Sequence, residues 1–179
     1  MKTHIITTDQ LDSGNNYVGS ESLSDFAGNI EISASLGMVA FAGSLRASGW
    51  IIAQAGSGIE AGCGIEAGVG VKAGLGIKAG WGIEAGWGIE AGEGIEAGSG
   101  IKAGLGIKAG LGIEAGRGIK AGRGIEAGWG IEAGDGINCK LRVFAGLCIW
   151  RLPTEAEQTV TCKTFTGALA FGRLVETGK

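Results

Sequence analysis

Ala55-Gly56-Ser57-Gly58-Ile59-Glu60-Ala61-Gly62-Cys63-Gly64-Ile65-Glu66 opens a run that continues without insertion to Gly136-Ile137-Asn138. The unit is Ala-Gly-x-Gly-Ile-(Glu/Lys), said fourteen times over 84 residues. Ala and both glycines never vary, Val71 once replaces Ile, and Asn138 closes the last unit. A fixed short period marks a repeat architecture. Collagen is excluded, because it needs glycine at every third position. A flexible linker is excluded, because it needs no invariant β-branched residue. An even period keeps side-chain alternation in phase, so Ile and Ala point inward and the Glu or Lys between them points outward. Gly-x-Gly then reads as a corner where glycine takes φ > 0. The expected fold is an all-β, single-domain parallel β-solenoid.

The free third position suggests how many units close one coil. Taken in twos it reads Ser/Cys, Val/Leu, Trp/Trp, Glu/Ser, Leu/Leu, Arg/Arg, Trp/Asp. Members of a pair are mostly alike, which predicts two units, or twelve residues, per coil. Glu/Lys signs agree with this. At an offset of twelve, eight of eleven pairs are opposite, against six of ten at eighteen. Opposite stacked neighbours favour a sheet. Seven such coils at the usual strand spacing make a rod of about 34 Å.

Ile59 through Asn138 resembles the hexapeptide-repeat β-helix proteins, which place an aliphatic residue at every sixth position. The resemblance implies triangular coils of eighteen residues, the alternative to the twelve-residue reading. That family prefers a small residue four places after the aliphatic one, where this chain has Trp81, Trp87, Leu105 or Arg117. Many members are acyltransferases with a catalytic His. No His lies between Ala55 and Asn138, so that activity does not carry over.

The chain divides by composition. Residues 1–25 are a polar arm, expected to be irregular or to hold a short opening strand. Residues 26–54 are degenerate rungs in which Met38, Phe41 and Trp50 replace small residues, which predicts a wider cross-section. Residues 55–138 are the regular solenoid. Residues 139–179 are a C-terminal β cap or a small β module, with a hairpin expected over Cys139–Leu152 and a strand over Thr159–Phe165. Terminal rungs of solenoids are irregular because they close an open core and an unpaired edge.

Several function classes fall away. A net charge of −3 gives no basic surface for nucleic acid, so direct nucleic-acid binding is not expected. No apolar run approaches the roughly 20 residues that span a bilayer. The first residues lack the apolar core of a signal peptide, so a cytoplasmic protein with four thiols is expected. The cysteines show no Cys-x-x-Cys spacing and no nearby His, so no metal site and no cofactor is expected. His4, the one His, reads as a solvated side chain. The interleaved Glu and Lys read as a solvated ladder rather than an acid–base pair. The recurring Gly-x-Gly lacks the Gly-Lys-Ser/Thr ending of a phosphate loop. The chain is therefore read as a non-enzyme.

What remains is surface. Trp81, Trp87, Trp129, Arg117, Arg123, Leu105 and Leu111 occupy the free position and are the candidate partner-binding residues, since Trp and Arg dominate interface hot spots. The expected role is a rigid binding protein, an inhibitor or adaptor that occupies the surface of a protein partner, for example a nucleic-acid-handling or defence protein. Pentapeptide-repeat proteins, some of which mimic duplex DNA, offer an analogy. The run's ten acidic and seven basic side chains leave a charge density far below that of DNA. The alternative is a self-assembling structural protein, since Gly28-Asn29-Ile30-Glu31 is similar to a rung of the bactofilin-like solenoids that stack end to end. A homo-oligomer is compatible with either reading.

Overall fold

The computed structural model describes residues 1–148 and 151–178. It is a parallel β-solenoid with three flat faces, almost without helix. Each hexad between the first and the last supplies one three-residue strand, with Ile (once Val71) and Ala buried and the Glu or Lys between them facing solvent. Three hexads close a coil. Ile83 lies beside Ile65 and Ile101, Ile89 beside Val71 and Ile107, and Ile95 beside Ile77 and Ile113. Every neighbour in the regular run is therefore eighteen residues away.

This corrects the twelve-residue coil. The charge pattern pointed to twelve because exposed ion pairs are weak, worth at most about 1 kcal/mol each. They do not set the period. The core sets it, since each Ile withdrawn from water contributes about 1.5–3 kcal/mol. Three inward Ile and three inward Ala per coil fill a triangular section. The regular run is correspondingly shorter, about 22 Å at the usual strand spacing.

Face I carries the strands Leu45–Ala47, Ile65–Ala67, Ile83–Ala85, Ile101–Ala103 and Ile119–Ala121, and then the first part of Gly136–Phe144. Face II carries Lys2–Ile6, Gly28–Ile32, Ile51–Ala53, Val71–Ala73, Ile89–Ala91, Ile107–Ala109 and Ile125–Ala127, and then the second part of Gly136–Phe144. Face III holds eight strands, from Gly37–Phe41 to Arg173–Glu176.

The corner glycines have a different job from the one expected. Within the regular run only Gly56, at its start, has φ in the left-handed region (φ 73°). Elsewhere the first glycine is required by close approach. A Cβ on Gly104 would lie 1.9 Å from the carbonyl oxygen of Gly86, one coil away. The second glycine is less constrained, and a Cβ on Gly106 would meet the Gly124 carbonyl oxygen at 3.5 Å. The hydrogen-bond ladder continues around the corner through Leu105 N–H, which donates to the Trp87 carbonyl at 2.6 Å.

Both ends depart from the hexad. The first coil takes 26 residues, with His4 beside Ile30, and the next ones 20 or 21, with Ile30 beside Ile51 and Val39 beside Ile59. The N-terminal arm holds a short opening strand, one of the two expected alternatives. Lys2–Ile6 pairs with Gly28–Ile32, and Ile6, Leu23 and Phe26 are buried. His4 is not simply solvated. It is half-buried, with Nε2 3.1 Å from the Tyr17 hydroxyl and its ring edge-on to Phe26.

At the C-terminal end the hairpin is replaced by solenoid. Gly136–Phe144 turns from face I to face II as one strand and pairs in parallel with Thr164–Phe171. Parallel stacking continues the existing ladders, whereas a hairpin would abandon them. Ile149 and Trp150, in the expected hairpin, lie outside the described residues. Thr159–Cys162 is a strand of face III.

Two substitution pairs test this architecture. Gly104→Ala should destabilise by about 1–3 kcal/mol or more through overpacking, whereas Gly106→Ala should stay within about 1 kcal/mol of wild type. Urea unfolding followed by circular dichroism reads both. Separately, Ile89→Asp places an unpaired carboxylate in the core and should unfold or aggregate the chain. Glu90→Gln, which loses only the exposed 3.4 Å contact with Lys72, should cost at most about 1 kcal/mol. Equal melting temperatures for the Ile89 and Glu90 variants would mean that inner and outer faces are misassigned.

Candidate functional site

The free position lies on the three edges between faces, and the eighteen-residue register decides which side chains share an edge. Between faces III and I run Cys63, Trp81, Ser99, Arg117 and Asp135, linked by backbone hydrogen bonds of 2.7–3.0 Å. Between faces I and II run Val69, Trp87, Leu105, Arg123 and Leu141. Between faces II and III run Ser57, Leu75, Glu93, Leu111 and Trp129.

The Trp and Arg pairs of the sequence therefore sit on two different edges of one coil, on either side of face I, while Leu105 and Leu111 flank face II. Trp81 and Trp87 flank the strand Ile83–Ala85, and Arg117 and Arg123 flank Ile119–Ala121. Both indoles are exposed, Trp81 at 69% and Trp87 at 63%. Nothing in the fold requires a large apolar side chain there, since Ser99 fills the same place one coil away. Leu105 is 37% exposed, and Arg117 and Arg123 are exposed.

The other two candidates lie elsewhere. Leu111 is half-buried on the edge between faces II and III. Trp129 is half-buried on the same edge and tied to the C-terminal segment. Its carbonyl accepts from Gly146 N–H at 3.0 Å, and the Arg151 guanidinium lies 5.8 Å from its ring centre. Its indole Nε1 is buried without a hydrogen-bond partner among the described residues. Arg151 is held in turn by Glu157, with Nη1 2.9 Å from the carboxylate. That hydrogen bond, together with Thr154 N–H, pulls the Glu157 pKa down to about 2. Trp129 thus serves the cap, and face I is the surface that gathers the remaining candidates, apart from Leu111.

Residues set aside as a solvated ladder complete this surface. The outward side chains of face I read Arg46, Glu66, Glu84, Lys102, Lys120 and Asn138 in successive coils. Arg46 pairs with Glu66 at 3.3 Å, and Lys102 with Glu84. Lys120, Arg117 and Arg123 form one cationic row with no carboxylate partner among the described residues. Face II differs, since Lys72, Glu90, Lys108 and Glu126 alternate in sign. Face III stacks Glu96, Glu114 and Glu132. Counting the repeat by eighteens would have found these rows.

The second glycines give face I its relief. Gly64, Gly82, Gly100 and Gly118 carry no side chain, so a trough of about 520 Å³ runs past Trp81 along the ladder. It is open and is lined by Glu66, Glu84, Lys102 and Lys120. Among the described residues no group of three or more His, Cys, Asp or Glu is placed to hold a metal ion. The four cysteines are free, and burial raises the pKa of Cys139 and Cys162. Among the described residues no helix is long and apolar enough to cross a membrane.

Comparison with known protein families, curated proteins and solved structures finds no match to this chain.

Trp81 and Trp87 differ from Trp129 in a way that unfolding reads. Trp81→Ala and Trp87→Ala should each leave stability within about 0.5 kcal/mol of wild type, as surface substitutions do. Trp129→Ala should lower it by more than about 1 kcal/mol, because it removes packing under the cap. A melting temperature lowered equally by all three would make the exposed indoles structural.

Proposed function

We propose that this chain is a non-enzymatic, rigid binding protein that acts by protein–protein contact, as an inhibitor or adaptor that occupies a partner's surface. The single observation that carries the reading is the pair of exposed indoles, Trp81 and Trp87, on the two borders of face I. Exposed Trp is costly in water and valuable in an interface core, where it anchors contacts of about 2 kcal/mol or more. Arg117 and Arg123, two coils further along the same borders, extend the anchors into a band. A preformed flat face loses little conformational freedom on docking, which favours tight binding.

The cytoplasm is the proposed compartment, because four free thiols suit a reducing environment. End-to-end stacking of the bactofilin-like kind is disfavoured by the N-terminal arm, where Leu23 and Phe26 are buried at the end of the rod.

The test is affinity capture from the native host with wild-type protein and two double variants, Trp81→Ala/Trp87→Ala and Arg117→Ala/Arg123→Ala. Each captured protein is then titrated by calorimetry. The Trp variant should weaken binding at least tenfold, with an unchanged melting temperature. Wild-type affinity in both variants would remove face I from the binding surface.

A further inference from the structure

We propose that face I docks on face I of a second copy of this chain, antiparallel, about a twofold axis between the Glu84 and Lys102 rungs. The inference rests on the reading of face I as a contact surface and names its occupant.

The charge order carries it. Along four consecutive coils the centre of face I reads Glu66, Glu84, Lys102, Lys120, which is two negative and then two positive. Reversal of this order inverts every sign. An antiparallel copy therefore brings Glu66 to Lys120 and Glu84 to Lys102 of the other chain, and the symmetry repeats both contacts. A parallel copy would set like charge against like on all four rungs. A slip of one coil puts Lys102 on Lys102 or Glu84 on Glu84. The antiparallel register brings opposite charges together on four rungs, against three for a parallel copy displaced by two coils, and only the twofold contact closes on itself without forming fibres.

The same block order is unfavourable in a monomer. Glu66 stacks on Glu84 and Lys102 stacks on Lys120, so Glu66, Glu84 and Lys102 each have a like neighbour beside the opposite one (Arg46, Lys102 and Glu84 in turn), and like charges directly opposite in a sheet destabilise it. Face II reads Lys72, Glu90, Lys108 and Glu126, and its reversal inverts every sign too, but there no charge stacks on its like and each already lies beside an opposite one in its own chain. Face III, with three stacked carboxylates, has no reversed match.

The borders agree with the centre. The axis that fits the charges places Trp87 over Leu105 of the second copy and Trp81 over Ser99. Both indoles lie one rung from the axis, in the middle of the contact, where anchoring residues cluster. Lys120, Arg117 and Arg123, which have no carboxylate partner among the described residues, face the Glu66 rung of the other chain. Four rungs span about 14 Å at the usual strand spacing, and the indoles and Leu105 seal the two sides.

Analytical ultracentrifugation of the full chain at 1–100 µM tests this. The wild type should sediment as a dimer of the 17.9 kDa chain. Lys102→Glu/Lys120→Glu should be monomeric, because four rungs of one sign then meet. Glu66→Lys/Glu84→Lys should be monomeric for the same reason. An equimolar mixture of the two variants should recover the dimer mass. Should either reversal fail to fold, Lys102→Gln/Lys120→Gln replaces it and should weaken the dimer at least tenfold. A wild type that is monomeric throughout overturns the proposal, and so does a dimer that persists unchanged in the variants. A monomer that still binds a host protein through Trp81 and Trp87 would overturn only the second copy as occupant. A monomer whose host binding ignores both indoles would overturn the reading of face I as well.

Discussion

The structure depends on how closely one coil approaches the next at its corners. A strand tolerates most side chains at this spacing, because side chains leave the sheet above and below it. A corner does not. There the first glycine of every hexad after the first lies under a carbonyl oxygen of the adjacent coil, with 1.9–2.6 Å between that oxygen and the place of a Cβ. Any other residue would push the coils apart and break the hydrogen bonds on both sides. The invariance of that glycine and of Ala, and the near-invariance of Ile, follow from one requirement, which is constant spacing along the rod. The freedom of the third position follows from the same geometry, since its side chain leaves the corner outward.

That freedom explains what the sequence made legible and what it hid. Strand positions, inward Ile and Ala, outward Glu and Lys, and the solenoid class were all readable from the hexad, because core packing enforces them in every unit. Coil length was not. The likeness of Trp81 to Trp87 and of Arg117 to Arg123 looked like stacking between two sheets, but each pair lies across one face of a three-sided coil. Residues free to vary carry no information about folding, so their pattern was a poor guide to the period and a better guide to surface.

The ends were harder to read, for a different reason. Regular hexads share one solution, while each terminus solves a local problem once. At the N-terminus His4, Tyr17 and Phe26 pack together beside wider coils, and Phe41 lies against Tyr17 with ring centres 5.6 Å apart. At the C-terminus Trp129 is drawn from the edge into the cap by Gly146 and by the Arg151–Glu157 pair. No periodicity announces such contacts. Among the candidate residues, this is why Trp129 could not be told from Trp81 and Trp87 by type or spacing, although the three occupy equivalent places in the repeat.

The three ladders share one scaffold and differ only in sign, so a common folding requirement cannot account for the difference. Face II alternates and is satisfied within the chain. Face I is divided into an acidic and a basic half, and face III accumulates carboxylates. Surface ion pairs contribute too little to folding for selection on stability alone to arrange them face by face. The same charges act more strongly on encounter and register between molecules, where opposing rows steer approach and penalise wrong alignments. A solenoid with interchangeable rungs has a particular need for such a device, because its backbone presents the same surface at every coil. Charge order along the ladder, with Trp81 and Trp87 confined to one coil, is what makes one position on the rod different from the next.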